Sequence, residues 1–167
     1  MKKIDSNIIR KHFPALSGDW TFFDNAGGTQ TALQVGDKIQ DYLFSTNVQL
    51  GASYEISQKS GERVDYAQKI WANAINANSE KEIVFGSSTT ALLQNLSRSL
   101  VQLFLPGDEV IVTNCDHEAN IGPWINMQKA GIVVKSWKIN LETFSLELDD
   151  LEKLMSSKTR LVAFTHA

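Results

Sequence analysis

Cysteine occurs once in this chain, at Cys115, so no disulfide can form within it and a disulfide-stapled secreted scaffold is excluded. The compartment expected from that cysteine usage is the cytoplasm. No apolar run approaches the ~20 residues that span a bilayer. The start, Met1-Lys2-Lys3-Ile4-Asp5, lacks the apolar stretch of a signal peptide. Neither sign of charge dominates: 16 basic against 19 acidic residues leave a net charge of −3, with no basic stripe of the kind that grips nucleic acid. Repeats and low-complexity tracts are absent too. What is present is core-building material. Four tryptophans and eight phenylalanines within 167 residues suffice for one domain, or for part of a larger one.

The hydrophobic rhythm changes midway along the chain. The spacing predicts a short helix over 6–13, capped by Asp5 or Ser6 and ended by Pro14. Trp20–Phe23 reads as extended, and Asp24–Thr29 as a glycine-dependent loop. Helices are predicted over 31–46 and 60–77, the second with Val64, Ala67, Ile70, Trp71, Ala74 and Ile75 at helical spacing. The segment 47–57 between them is polar and irregular. Beyond these, strands are predicted at 82–85, 109–113, 132–137 and 160–165. Helices separate them at 89–104, at 119–130 with Pro123 near its start, and from a cap at Asp149 or Asp150 through Met155. Pro106-Gly107-Asp108 is a turn. Alternating strands and helices specify an α/β fold with a mostly parallel sheet and covering helices. Ligands of such sheets lie beyond the carboxyl ends of the strands. Here that rule selects Gly86–Thr90, Asn114–Asn120 and the residues after Thr165.

Gly86-Ser87-Ser88-Thr89-Thr90 joins a predicted strand to a predicted helix. Small residues there leave amide groups free at a helix N-terminus, which together with the helix dipole favour a phosphate. An ordinary capped turn without a ligand fits the same spacing, and the absence of a Gly-Lys-Ser/Thr run excludes a Walker loop. His117, just after a strand, suits stacking on an aromatic ring or acid/base work, and equally suits a surface loop histidine paired with Asp116 or Glu118. Adjacent Asp116, His117 and Glu118 converge poorly on one metal ion, so no metal is expected. The acidic neighbours of Cys115 oppose an activated nucleophile. Asp24–Gln30 reads either as a ligand loop or as a tight turn.

In combination these runs carry more. Phe23-Asp24-Asn25-Ala26-Gly27-Gly28-Thr29-Gln30, Glu82–Phe85 followed by Thr89-Thr90, Gly107–Val112, Asp116-His117-Glu118-Ala119-Asn120-Ile121-Gly122-Pro123-Trp124, and Thr159–Ala167 occur in one order. That order resembles class V aminotransferases, and within them the cysteine-desulfurase-like branch of the pyridoxal 5'-phosphate (PLP) enzymes of fold type I. The resemblance runs from about Phe13 to Ala167. It implies an N-terminal arm with active-site-edge loops over 1–59 and the first part of the large PLP-binding domain over 60–167. It implies that Ser88, Thr89 and Thr90 hold the PLP phosphate and that His117, the catalytic candidate, stacks on the pyridine ring. Asn25, Ala26, Gly27 and Asn47 would lie on the substrate side. An amino acid substrate and a homo-oligomer, by default a dimer, are implied as well.

The sequence also departs from the family. Gln49 and Leu50 stand where desulfurases carry a His-Arg pair, which argues against desulfurase chemistry and leaves PLP binding untouched. The family's Schiff-base lysine, in a Ser-x-His-Lys run, has no counterpart among these 167 residues. The chain alone is therefore expected to be inactive: a part of a PLP-dependent transferase or lyase, or else a truncated, non-catalytic remnant that self-associates or complements a separate C-terminal chain. A flavodoxin-like nucleotide binder shares the strand–helix rhythm and leaves the Asn-Ala-Gly-Gly-Thr and Asp-His-Glu-Ala-Asn runs unexplained.

Overall fold

A computed structural model describes residues 5–166, and the chain divides after Val84 into two compact units. Met1 to Ile4 and Ala167, both used above, lie outside the described residues.

The first unit is built on three helices. In α1 (Ser6–Arg10) the Asp5 carboxylate accepts the Asn7 amide at 2.9 Å, as an N-cap does. This helix stops at Arg10, short of the expected 13, because Phe13 is extended ahead of Pro14 and Pro14–Ser17 winds as a separate 3-10 turn. Helices α2 (Leu33–Ser45) and α3 (Glu55–Ala74) are joined by an Asp41–Arg63 ion pair of 2.8 Å. Helix α3 starts earlier than the apolar pattern predicts. Its first turn carries Glu55, which suits the helix dipole and pairs with Lys59 four residues on. Its end is a Schellman motif: Asn76 sits in the left-handed region at φ 57°, and the Ala77 amide reaches back to the Ala72 carbonyl at 2.8 Å.

The strand expected at 82–85 is not formed. Residues Glu80–Glu82 wind as a 3-10 turn, and the Ile83 amide closes it on the Glu80 carbonyl at 3.1 Å. Ile83 is buried, while Val84 and Phe85 are exposed. Such a run becomes a strand only where another strand lies alongside, and no described strand does.

The second unit is a parallel sheet of β1 (Glu109–Thr113), β2 (Val133–Trp137) and β3 (Thr159–Ala163), in the order β2-β1-β3. Central β1 is buried on both faces, which its Val-Ile-Val run predicts. Helix α4 (Thr89–Leu100) precedes it. The helix expected over 119–130 is broken into a 3-10 turn at Glu118–Asn120, the short α5 (Gly122–Ile125) and a 3-10 turn at Asn126–Ala130. Pro123 lacks an amide hydrogen and can stand only at the start of α5, so the preceding turn cannot run into it as continuous α-helix. Helix α6 (Leu148–Leu154) leads to β3. Its N-cap residue is Glu147, and the expected caps Asp149 and Asp150 fall inside the first turn.

Val110, Val112, Trp124, Met127, Ile132 and Ala163 form the core, with Leu93, Leu100 and Ile121 packed against it. On β2, the Trp137 indole donates to the Glu147 carbonyl at 3.0 Å, and its ring meets Phe164 edge-on with centroids 5.9 Å apart. The Pro106–Asp108 turn is confirmed. Gly107 adopts φ 89°, and the Asp108 carboxylate accepts the Leu105 amide at 2.9 Å and pairs with Arg160.

Candidate functional site

The candidate phosphate loop lies at the start of α4. Ser88 is its N-cap: the hydroxyl oxygen accepts the Ala91 amide at 3.1 Å, and its carbonyl accepts the Leu92 amide at 3.0 Å. Those bonds leave the Thr89 and Thr90 amides without an acceptor among the described residues, and both side chains are exposed. The Ser88 hydroxyl hydrogen remains available as a donor. The arrangement therefore presents two amides, three hydroxyls and the positive end of a twelve-residue helix. Gly86 closes the loop onto the helix, because a Cβ there would meet Leu92 Cδ2 at 2.6 Å.

His117 follows β1 and caps the Glu118–Asn120 turn, which packs against α4. Thus Ser88, Thr89, Thr90 and His117 all belong to the second unit, on elements in contact. The ring pairs with neither Asp116 nor Glu118. Its Nδ1 accepts the Ala119 amide at 3.0 Å. An accepting Nδ1 carries no proton, so the neutral ring bears its hydrogen on Nε2.

Asp116 makes a different set of bonds. Its Oδ1 accepts the His117 amide and the Thr165 hydroxyl, each at 2.7 Å, and its Oδ2 accepts the Asn120 side-chain amide at 2.7 Å. The Asn120 oxygen in turn accepts the Trp124 indole at 3.1 Å. Burial pushes the Asp116 carboxyl up. The hydroxyl of Thr165, the Asn120 side chain and the His117 amide outweigh that and hold it below the ordinary carboxylate range. Reading the sequence missed this relay, although Asp116, Asn120 and Trp124 recur at intervals of four.

The expected substrate-side residues lie in the first unit. Asn25, Ala26 and Gly27 form an exposed turn in which the Gly27 and Gly28 amides reach the Asp24 carbonyl at 3.1 and 3.2 Å. A Cβ on Gly27 would meet Asp24 Oδ2 at 2.8 Å, so a larger residue there would have to turn the exposed Asp24 carboxylate aside. Asn25 borders a cavity of about 350 Å³, together with Trp20, Phe22 and Thr29. Asn47 is exposed in the loop after α2. That loop is pinned by buried Ser57, which accepts the Ala52 amide at 2.9 Å and donates to the Gln49 carbonyl at 2.6 Å. Among the described residues no three His, Cys, Asp or Glu side chains gather to hold a metal ion, and no helix is long and apolar enough to cross a membrane.

The family described as aminotransferase class-V matches residues 21–167, and the chain belongs to that family. It is 43% identical over 164 residues to the aminotransferase-like protein FGM3 of Gibberella zeae, covering 95% of this chain and 40% of that protein. The solved cysteine desulfurase CsdA of Escherichia coli matches at a TM-score of 0.79 and 25% identity, over 96% of this chain and 41% of the other. The apo cysteine desulfurase of Thermococcus onnurineus shares the fold at a TM-score of 0.84 and 24% identity, over 97% and 40%. The α/β fold expected from the sequence is the one these structures share. The chain spans about 40% of the length of these relatives, in their N-terminal part.

Proposed function

We propose that this chain supplies the phosphate and ring contacts for PLP in a class V aminotransferase or cysteine-desulfurase-like enzyme acting on an amino acid. The full enzyme would have an N-terminal arm ahead of the PLP-binding domain and would work as a cytoplasmic homodimer. The observation that carries the proposal is the start of α4, where the Thr89 and Thr90 amides lack acceptors beside the Ser88, Thr89 and Thr90 hydroxyls. That donor set fits a phosphate: hydrogen donors converge there, and no described acidic side chain lies within residues 86–90. When bound, PLP supplies an electron sink for bonds broken at the substrate Cα. The chain's own contribution is binding and orientation. Thr89 and Thr90 hold the phosphate, His117 covers the ring with a neutral imidazole face, and Asn25, Ala26, Gly27 and Asn47 border the substrate.

Titrating the full-length chain with PLP and with pyridoxal, which lacks the phosphate, tests this. PLP should bind at least about tenfold more tightly, the difference expected from one or two charge-assisted hydrogen bonds. The double variant Thr89→Val/Thr90→Val should narrow that gap. Equal affinities for the two ligands would remove the phosphate assignment.

A further inference from the structure

The turn that carries His117 is held by more bonds than a surface loop requires. Three donors converge on the Asp116 carboxylate, and each comes from a different place. The His117 amide is the next residue along. The Asn120 side chain lies across the turn, and the Thr165 hydroxyl lies just past β3, 49 residues away. Asn120 continues the relay to the indole of Trp124, which is only 3% exposed and part of the core. The turn is therefore referenced at one end to the core and at the other to the end of β3. Within it the Asn120 amide bonds the His117 carbonyl at 2.8 Å, and the Ala119 amide reaches Nδ1 of the His117 ring. A ring held by one bond to a neighbouring amide is only as fixed as the turn that bears the amide.

We propose that Asp116 is a positioning residue for His117: through Asn120, Trp124 and Thr165 it fixes the Glu118–Asn120 turn, so that the Ala119 amide holds the imidazole in one orientation and in the tautomer protonated at Nε2. This rests on the assignment of His117 to the cofactor ring. Asp116 itself need not touch the cofactor. Its effect passes through the ring of His117, which is presented with a set tilt and a donor at its outer nitrogen.

Polarity in the relay makes a clean test available. In Asp116→Asn, one oxygen still accepts the His117 and Thr165 donors, but the new amide nitrogen faces the Asn120 nitrogen, donor against donor. The double variant Asp116→Asn/Asn120→Asp reverses that bond: residue 116 then donates to residue 120, whose other oxygen still accepts from Trp124. Two readouts apply to the full-length chain, PLP affinity by absorbance titration and the His117 ring tautomer by nitrogen-15 NMR without cofactor. The single variant should lose about tenfold in PLP affinity, the scale of one hydrogen bond to a charged group, and its ring should populate both tautomers. The double variant should recover PLP affinity to within about threefold and a single Nε2-protonated ring. A single variant with unchanged affinity and an unchanged tautomer would overturn the proposal. So would a double variant that melts like the wild type yet recovers neither readout. If His117→Ala binds PLP as tightly as the wild type, the ring assignment of His117 fails instead, and the tautomer spectra still decide the role of Asp116.

Discussion

Glu109 gathers on one oxygen the Lys135 ammonium at 2.8 Å and the hydroxyls of Ser156 at 2.7 Å and Thr159 at 3.0 Å. The Lys135 bond, then that of Ser156, lower its carboxyl from 4.5 to about 2, against a smaller opposing effect of burial. A folded value below the unfolded one contributes stability that is complete above about pH 4.5 and is lost as pH falls toward 2. Glu109→Gln should therefore lower the melting temperature at pH 7 and flatten its decline between pH 4.5 and 2, read from thermal melts across that range. An unchanged decline would locate the acid sensitivity elsewhere. At this scale the sequence disclosed some residues and hid others. His117 was legible as the histidine after a strand. Which of its nitrogens is engaged was not, because the Ala119 amide reaches it only once residues 118–120 coil. The spacing of Asp116, Asn120 and Trp124 was in plain view. Its meaning depends on Thr165, a partner that no local pattern supplies.

Among the elements, alternation of strand and helix gave the parallel sheet, since Val110, Ile111 and Val112 make an apolar centre for β1, and Gly107 and Gly131, both at positive φ, stand ahead of β1 and β2. The errors fell where local pattern and tertiary partner disagree. Residues 82–85 have strand composition and no described partner, so Glu82 and Ile83 finish a 3-10 turn and Val84 and Phe85 stay irregular. The run at 119–130 has helical spacing, and Pro123 divides it. The end of α3 shows how one residue sets an element's length. Asn76 tolerates φ 57° because its short amide suits the left-handed region. Asn76→Ala should cost about 1 kcal/mol in denaturant unfolding of the full-length chain, while Asn76→Gly should stay within about 0.5 kcal/mol of the wild type. Equal losses for both would mean that the Asn76 side chain, not its backbone conformation, matters there.

For the molecule as a whole, burial is unequal between the two units. The second has a continuous apolar core around Val110 and Trp124. In the first, Ala72 and Ile83 are the buried hydrophobic residues among those described, and α2 has none. Leu33, Ile39, Leu43 and Phe44 on α2 are all at least half exposed, apolar surface open to a partner. This favours the proposed homodimer. Sedimentation of the full-length chain should give a dimer at micromolar concentration, and Ile39→Asp/Leu43→Asp should shift it toward monomer. A wild type that sediments as a monomer would count against the dimer.

The Asp116–Thr165 bond also bears on time. It joins residues 49 apart in the chain, so it cannot form until β3 has docked beside β1 across the intervening crossover. Closing so long a loop carries an entropic cost that local turns do not. In a refolding chain the Ser88 cap of α4 bonds only amides three and four residues on. The setting of His117 must wait for β3, and a chain in which β3 has not docked would hold a phosphate loop beside an unset ring.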